Sequence, residues 1–268
     1  MTPEPWPRTQ FIPGGAPAQV FLACFSEAPM PKRMSLEAAR HGIPRPGVPR
    51  EIVVSSLTAE DAPDFFAGLL GGPLRVVAER DLGETFRRLE LSRHCHRIQG
   101  SIPDPPTLAH LQAAWGIARW FVEQGACAAL DGHSLRWTAG DAILRDAPDR
   151  PFDLTREVTV VFETDRGIGH TRGLAKFGRP DLVVPGVRCE QFDAAHKLLI
   201  SAAHSLAMGH RVAPGSTLSI GGSPPLALQA YAPEDELSLN NVGLVVSDAD
   251  PKTKQPLPGI DRFVAFLK

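Results

Sequence analysis

The densest run of chemically capable side chains is Gly169 to Leu182, G-H-T-R-G-L-A-K-F-G-R-P-D-L, with a histidine, three cations, a carboxylate and three glycines in fourteen residues. His170, Arg172, Lys176 and Arg179 form a candidate ligand-binding set for a small carboxylate- or phosphate-bearing molecule. Guanidinium forks match such groups, and glycine-rich turns expose backbone N–H. The same residues also have a purely structural reading. Asp165-Arg166-Gly167 is hairpin turn chemistry that would fold Gly169–Arg172 back onto a strand at Glu157–Glu163. Leu174–Phe177 would then be one helical turn closed by Gly178, with Pro180 preventing its continuation. On that reading the cations form local ion pairs.

Other candidates are sparser. His94 and His96 sit at i and i+2, so an extended chain points both imidazoles to one side, but no third zinc ligand is placed by the sequence. An exposed strand end is the expectation for this pair. His196 is expected at the edge of an apolar helix face, bonded to backbone, with His204 at the edge of that face and His210 beyond Gly209. The first and last of these lie about 20 Å apart along a helix axis, too far to share a metal. Asp131 precedes Gly132 at the end of an apolar run, a position where α/β proteins place ligands and where turns begin. Trp115, Trp120 and Trp137 are expected to pack between helix and sheet. There is no Walker loop, G-x-G-x-x-G, G-x-S-x-G or H-E-x-x-H, so no catalytic residue, cofactor or metal site is named.

The elements that must position these residues follow from periodicity and punctuation. Gln19–Phe25 and Glu51–Leu57 read as strands, Thr58–Leu70 as a short capped helix, and Leu74–Ala78 and Phe86–Leu91 as two further strands. Leu108–Gln124 reads as a long helix, with Leu108, Leu111, Trp115, Ala118 and Val122 in one stripe and Gly125 at its end. Ala126–Leu130 is a buried strand. Gln191–Met208 is a second long helix with Phe192, Ala195, Leu199, Ala202 and Leu206 on one face, ending at Gly209. Leu218–Gly221, Leu226–Tyr231 and Gly243–Ser247 are later strands. Ser26–Arg50, with five prolines, is a solvated excursion broken by a helix-like Ser35–His41.

Composition sets limits. The chain has 268 residues, 43% hydrophobic and 22% charged, with net charge -2. That is ordinary globular usage, with no overall field for nucleic acid or anionic lipid. Cys24, Cys95, Cys127 and Cys189 form no C-x-x-C pair and suit a reducing compartment. No basic segment followed by an apolar one opens the chain, and no apolar run approaches the roughly 20 residues of a membrane span, so a cytoplasmic setting is expected.

His170 to Leu182 resembles a phrase, H-T-R-G-(L/M)-x-K-F-G-R-P-D-L, of uncharacterised bacterial proteins that carry a domain of unknown function. S-I-P-D-P-P at Ser101–Pro106 and A-A-L-D-G-H-S-L-R-W at Ala128–Trp137 are similar to the same group. The resemblance implies a shared fold and a bacterial cytosolic setting, and no mechanism.

The expectation is therefore an α+β protein with mixed or antiparallel sheets and two long amphipathic helices. It is either two similar lobes, 1–150 and 151–268, or one continuous domain. The functional expectation is a non-catalytic binding or interaction protein, regulatory or immunity-like, with a protein partner and neither nucleic acid nor membrane. The alternative is an enzyme or sensor for a small anionic ligand held by His170, Arg172, Lys176 and Arg179.

Overall fold

In the computed structural model, which describes residues 2–232 and 241–268, the apolar run beginning at Ala18 is the middle strand of a five-stranded sheet. The chain is α+β and divides into two units, Met1–Pro7 with Pro17–Phe152, and Arg8–Ala16 with Asp153–Lys268.

The first unit contains, in order, β1 (Ala18–Ser26), α1 (Ala38–His41), β2 (Val53–Thr58), α2 (Pro63–Leu70), α3 (Gly72–Leu82) and α4 (Phe86–Glu90). These are followed by β3 (His94–Ile102), α5 (Ala109–Glu123), β4 (Ala128–Asp131), β5 (Arg136–Ala139) and α6 (Gly140–Arg145). The sheet order is β2-β3-β1-β4-β5 and every neighbouring pair is antiparallel. Alternation along β1 gives each face its own helical layer. Phe21, Ala23 and Phe25 face a core with Phe66, Ala78, Leu82, Phe86 and Leu89 of α2 to α4. On the other face Cys24 lies opposite His96, whose ring stacks on Phe121 of α5 at 4.7 Å between centroids.

Two expected strands are corrected here. Leu74–Ala78 lies within α3 and Phe86–Leu91 is α4 with its cap. The buried positions are Ala78 and Leu82, four apart, and Phe86 and Leu89, three apart, which is helical spacing. Leu91, which strict alternation would bury, is 56% exposed. An Arg75–Glu79 ion pair at 2.8 Å supports the helical register of α3.

The second unit contains α7 (Leu154–Glu157), β6 (Thr159–Glu163), β7 (Ile168–Arg172), β8 (Asp181–Pro185), α8 (Phe192–Ala207), β9 (Thr217–Leu218), β10 (Leu226–Ala230), β11 (Gly243–Asp248) and α9 (Asp261–Phe266). Its sheet runs β6-β7-β8-β11-β10-β9. The β8–β11 pair is parallel and the others are antiparallel. α8 covers β6, β7 and β8 through Ala195, Leu198, Leu199, Ala202 and Leu206. Each unit is thus a sheet with one long helix, and the likeness stops there, because strand number, order and direction differ. Among the described residues no helix is long and apolar enough to cross a membrane.

Candidate functional site

The stretch Gly169–Leu182 folds as its punctuation dictates. β6 and β7 form an antiparallel hairpin in which Phe162 opposes Gly169. A Cβ at Gly169 would meet the Phe162 ring at 2.7 Å, so the aromatic lies on bare backbone. A single 3₁₀ turn, Leu174–Phe177, follows, flanked by Gly173 at φ 113 and Gly178 at φ 63. Pro180 then leads into β8.

The four expected donors have different fates. Lys176 is 2% exposed, and its Nζ donates to Oε2 of the fully buried Glu157 at 2.8 Å. Arg179 is 3% exposed. It donates to the carbonyls of Gly178, Gly209 and His210, each at 3.0 Å, where the carbonyls beyond the end of α8 lack intrahelical donors. Arg8 reinforces this clamp, donating to Ala207 at 3.1 Å and Phe177 at 3.0 Å. His170 is buried, its Nδ1 lying 3.3 Å from the Thr171 carbonyl and its Nε2 3.5 Å from Glu163 Oε1. Burial holds its pKa below the usual histidine value. Arg172 is half-buried at the end of β7. Lys176 and Arg179 are therefore bound to partners of their own fold.

Asp181 completes the network. Its Oδ1 accepts from the Thr171 hydroxyl at 2.9 Å and the Leu174 N–H at 3.2 Å, and its Oδ2 accepts from Asn241 Nδ2 at 2.9 Å. Burial pushes its carboxyl up to about 6 despite these donors.

The histidines of the first unit are arranged otherwise than the sequence suggests. His94 and His96 open β3 and stack at 6.4 Å between centroids, but His96 is not an exposed strand end; it is 2% exposed. Its Nδ1 lies 2.8 Å from Ser56 Oγ on β2 and its Nε2 lies 3.1 Å from Ser26 Oγ on β1. Desolvation, with His94 nearby, lowers its pKa to about 4. Among the described residues no group of three His, Cys, Asp or Glu side chains could hold a metal. His196 is exposed on α8, as is His204, so the expected core-edge role of His196 is corrected. The buried stripe runs through Ala195 and Leu199 and leaves position 196 a hundred degrees away. Asp131 opens the β4–β5 turn, its Oδ1 accepting from the N–H of His133 at 2.9 Å and of Ser134 at 3.3 Å. Trp120 and Trp137 are buried, and Trp137 packs on Phe25.

An open depression of about 410 Å³ lies on the same sheet, lined by Gln19, Phe21, Val53, Gln99, Gly100 and His133 among others. Phe21, Gln99 and Val53 stand side by side on β1, β3 and β2, and Val53 is 55% exposed. The sequence did not single out this row, nor Ser26, Ser56 or the pairing role of Glu157. Strand register alone creates them. No family model, curated protein or solved structure matches the chain.

Proposed function

We propose that this chain is a non-catalytic binding protein of the regulatory or immunity-like kind, acting in a bacterial cytosol on a protein partner. The row Phe21–Gln99–Val53 carries the reading: it is an apolar and amide surface left open on a sheet face that α2 to α4 cover elsewhere. Such a surface suits a protein contact, with the aromatic giving area and the glutamines adaptable hydrogen bonding. Photo-crosslinking residues placed at Val53 and Gln99 are expected to trap one discrete species in a bacterial lysate. The same residue at Val76, on α3 and 66% exposed, should not trap it. No adduct, or the same adducts at Val76, overturns the proposal.

The second reading, a small anionic ligand at His170, Arg172, Lys176 and Arg179, draws on His170 and Arg172 sharing one face of β7. It requires Lys176 to leave Glu157 and Arg179 to leave three carbonyls, which makes it the weaker reading. A melting-point shift by a phosphometabolite, abolished by Arg172→Ala, would favour it over the first.

A further inference from the structure

The hydrogen bonds around His96 have a fixed direction. Ser26 Oγ lies 2.7 Å from the Ala28 carbonyl, which can only accept, so the single Ser26 proton points there. Ser26 must then accept from His96, which places the ring proton on Nε2 and leaves Nδ1 as the acceptor for Ser56 at 2.8 Å. The order is Ser56 O–H to Nδ1, Nε2–H to Ser26, and Ser26 O–H to the Ala28 carbonyl. Phe121 stacks 14° from parallel with the imidazole and fixes its plane. Ser56 itself is exposed on the edge strand β2. Its oxygen lone pairs are therefore accessible while its proton is held by an oriented base. Hydroxyl, base and orienting group within hydrogen-bond reach are the ingredients of an activated nucleophile.

We propose that Ser56 is a reactive hydroxyl that accepts one acyl group from an activated ester, with His96 taking its proton. In the step the Ser56 Oγ–acyl carbon bond forms and the bond from that carbon to the leaving oxygen breaks. The Ser56 proton passes to His96 Nδ1 and from there to the departing oxygen, so the products are acyl-Ser56, an alcohol or phenol, and neutral His96. His96 is a weak base because burial disfavours the imidazolium. That suits single acylation rather than rapid turnover, and it leaves the binding role of the opposite sheet face untouched.

The full chain is treated with p-nitrophenyl acetate and the acetylated peptides are mapped over time. Exposed Ser201 on α8, whose hydroxyl is not hydrogen-bonded to an imidazole among the described residues, is the internal control. Ser56 should be acetylated at least about 10-fold faster than Ser201, a modest share of what a tuned general base supplies. His96→Asn should reduce Ser56 to the control rate. Ser26→Ala, which frees the imidazole tautomer while keeping its ring, should slow it about 3- to 10-fold. Because neutral His96 is the base, the Ser56 rate should be flat between pH 6 and 9 and fall only towards about 4. Four results overturn the proposal: a Ser56 rate equal to that of Ser201, a rate indifferent to both variants, a rate climbing about tenfold per pH unit as free alkoxide attack would, or no acetyl-Ser56 at all. If His96→Asn does not give a cooperative melt, Ser26→Ala and the pH profile decide.

Discussion

Gly169–Leu182 carries five ionisable side chains and the row Ser26–His96–Ser56 carries one, yet it is the nearly neutral row that directs a polar group to solvent. Lys176, Arg179 and Asp181 are each 3% exposed or less, and each ends on partners supplied by the same unit. The difference follows from desolvation. A charge taken from water must be matched by opposite charge or several dipoles, so buried charges close networks on themselves. A chain of neutral hydrogen bonds carries no such demand and can begin at an exposed hydroxyl. Charge density along a sequence thus marks where a fold needs internal pairing at least as well as it marks a ligand site.

The largest effect that tests this contrast is removal of one buried charge. Lys176→Met removes the cation bonded to the fully buried Glu157 and is expected to cost about 3–5 kcal/mol in urea unfolding. The double variant Glu157→Leu with Lys176→Met should recover most of that loss, because an apolar pair of similar volume replaces the ions. Ser56→Ala, by contrast, should cost about 1 kcal/mol or less, since it removes one hydrogen bond from an exposed residue. If Lys176→Met proves as mild as Ser56→Ala, the ion pair is not what holds this region and the contrast fails.

How much of this could be read from the chain alone depends on the range of the interaction. The hairpin at Asp165–Gly167, the turn at Leu174–Phe177 and its closure at Gly178 are set by neighbours within a few residues, and the expected and observed forms agree. The same holds for α5 and α8, whose apolar stripes span several turns. α3 and α4 read as strands because short segments rich in Arg, Val and Leu fit both periods, and only burial in the core shared with Phe25, Leu130 and Trp137 selects the helical one. The partners of His96 were illegible for a different reason. Ser26, Ser56 and His96 lie 70 and 40 residues apart in sequence, and the order of β2, β3 and β1 is what aligns them. Likewise Lys176 was visible as a cation, but nothing local pointed it to Glu157, 19 residues earlier.

A smaller effect sharpens the contrast through pH. The folded Asp181 carboxyl titrates near 6 against an ordinary value of 3.8, so between these values the native state binds more protons than the unfolded chain. Stability from this group is complete below about 4 and is lost as pH rises through about 6, by about 1–3 kcal/mol in total. Asp181→Asn removes that slope while adding a constant penalty, because the new amide places a donor against Asn241. Urea midpoints at pH 4, 5, 6 and 7 for both proteins measure it. Equal slopes would mean that the donors from Thr171, Leu174 and Asn241 fully offset desolvation, making the site as neutral in its pH response as the Ser56 row.

The smallest effect asks whether the turn within the charged stretch is independent of its charges. Gly178 sits at φ 63, ψ 36, left-handed backbone that a Cβ disfavours by about 1 kcal/mol. Gly178→Ala should cost that much, and Gly178→Asn only a few tenths, because asparagine tolerates this region. Both are read as shifts in the urea midpoint at constant slope. The Gly178 carbonyl also accepts from Arg179 Nη1 at 3.0 Å. Should Gly178→Ala cost several kcal/mol and Asn fail to rescue it, the turn and the arginine clamp would act as one unit, and the closed network would extend into the backbone that the glycines shape.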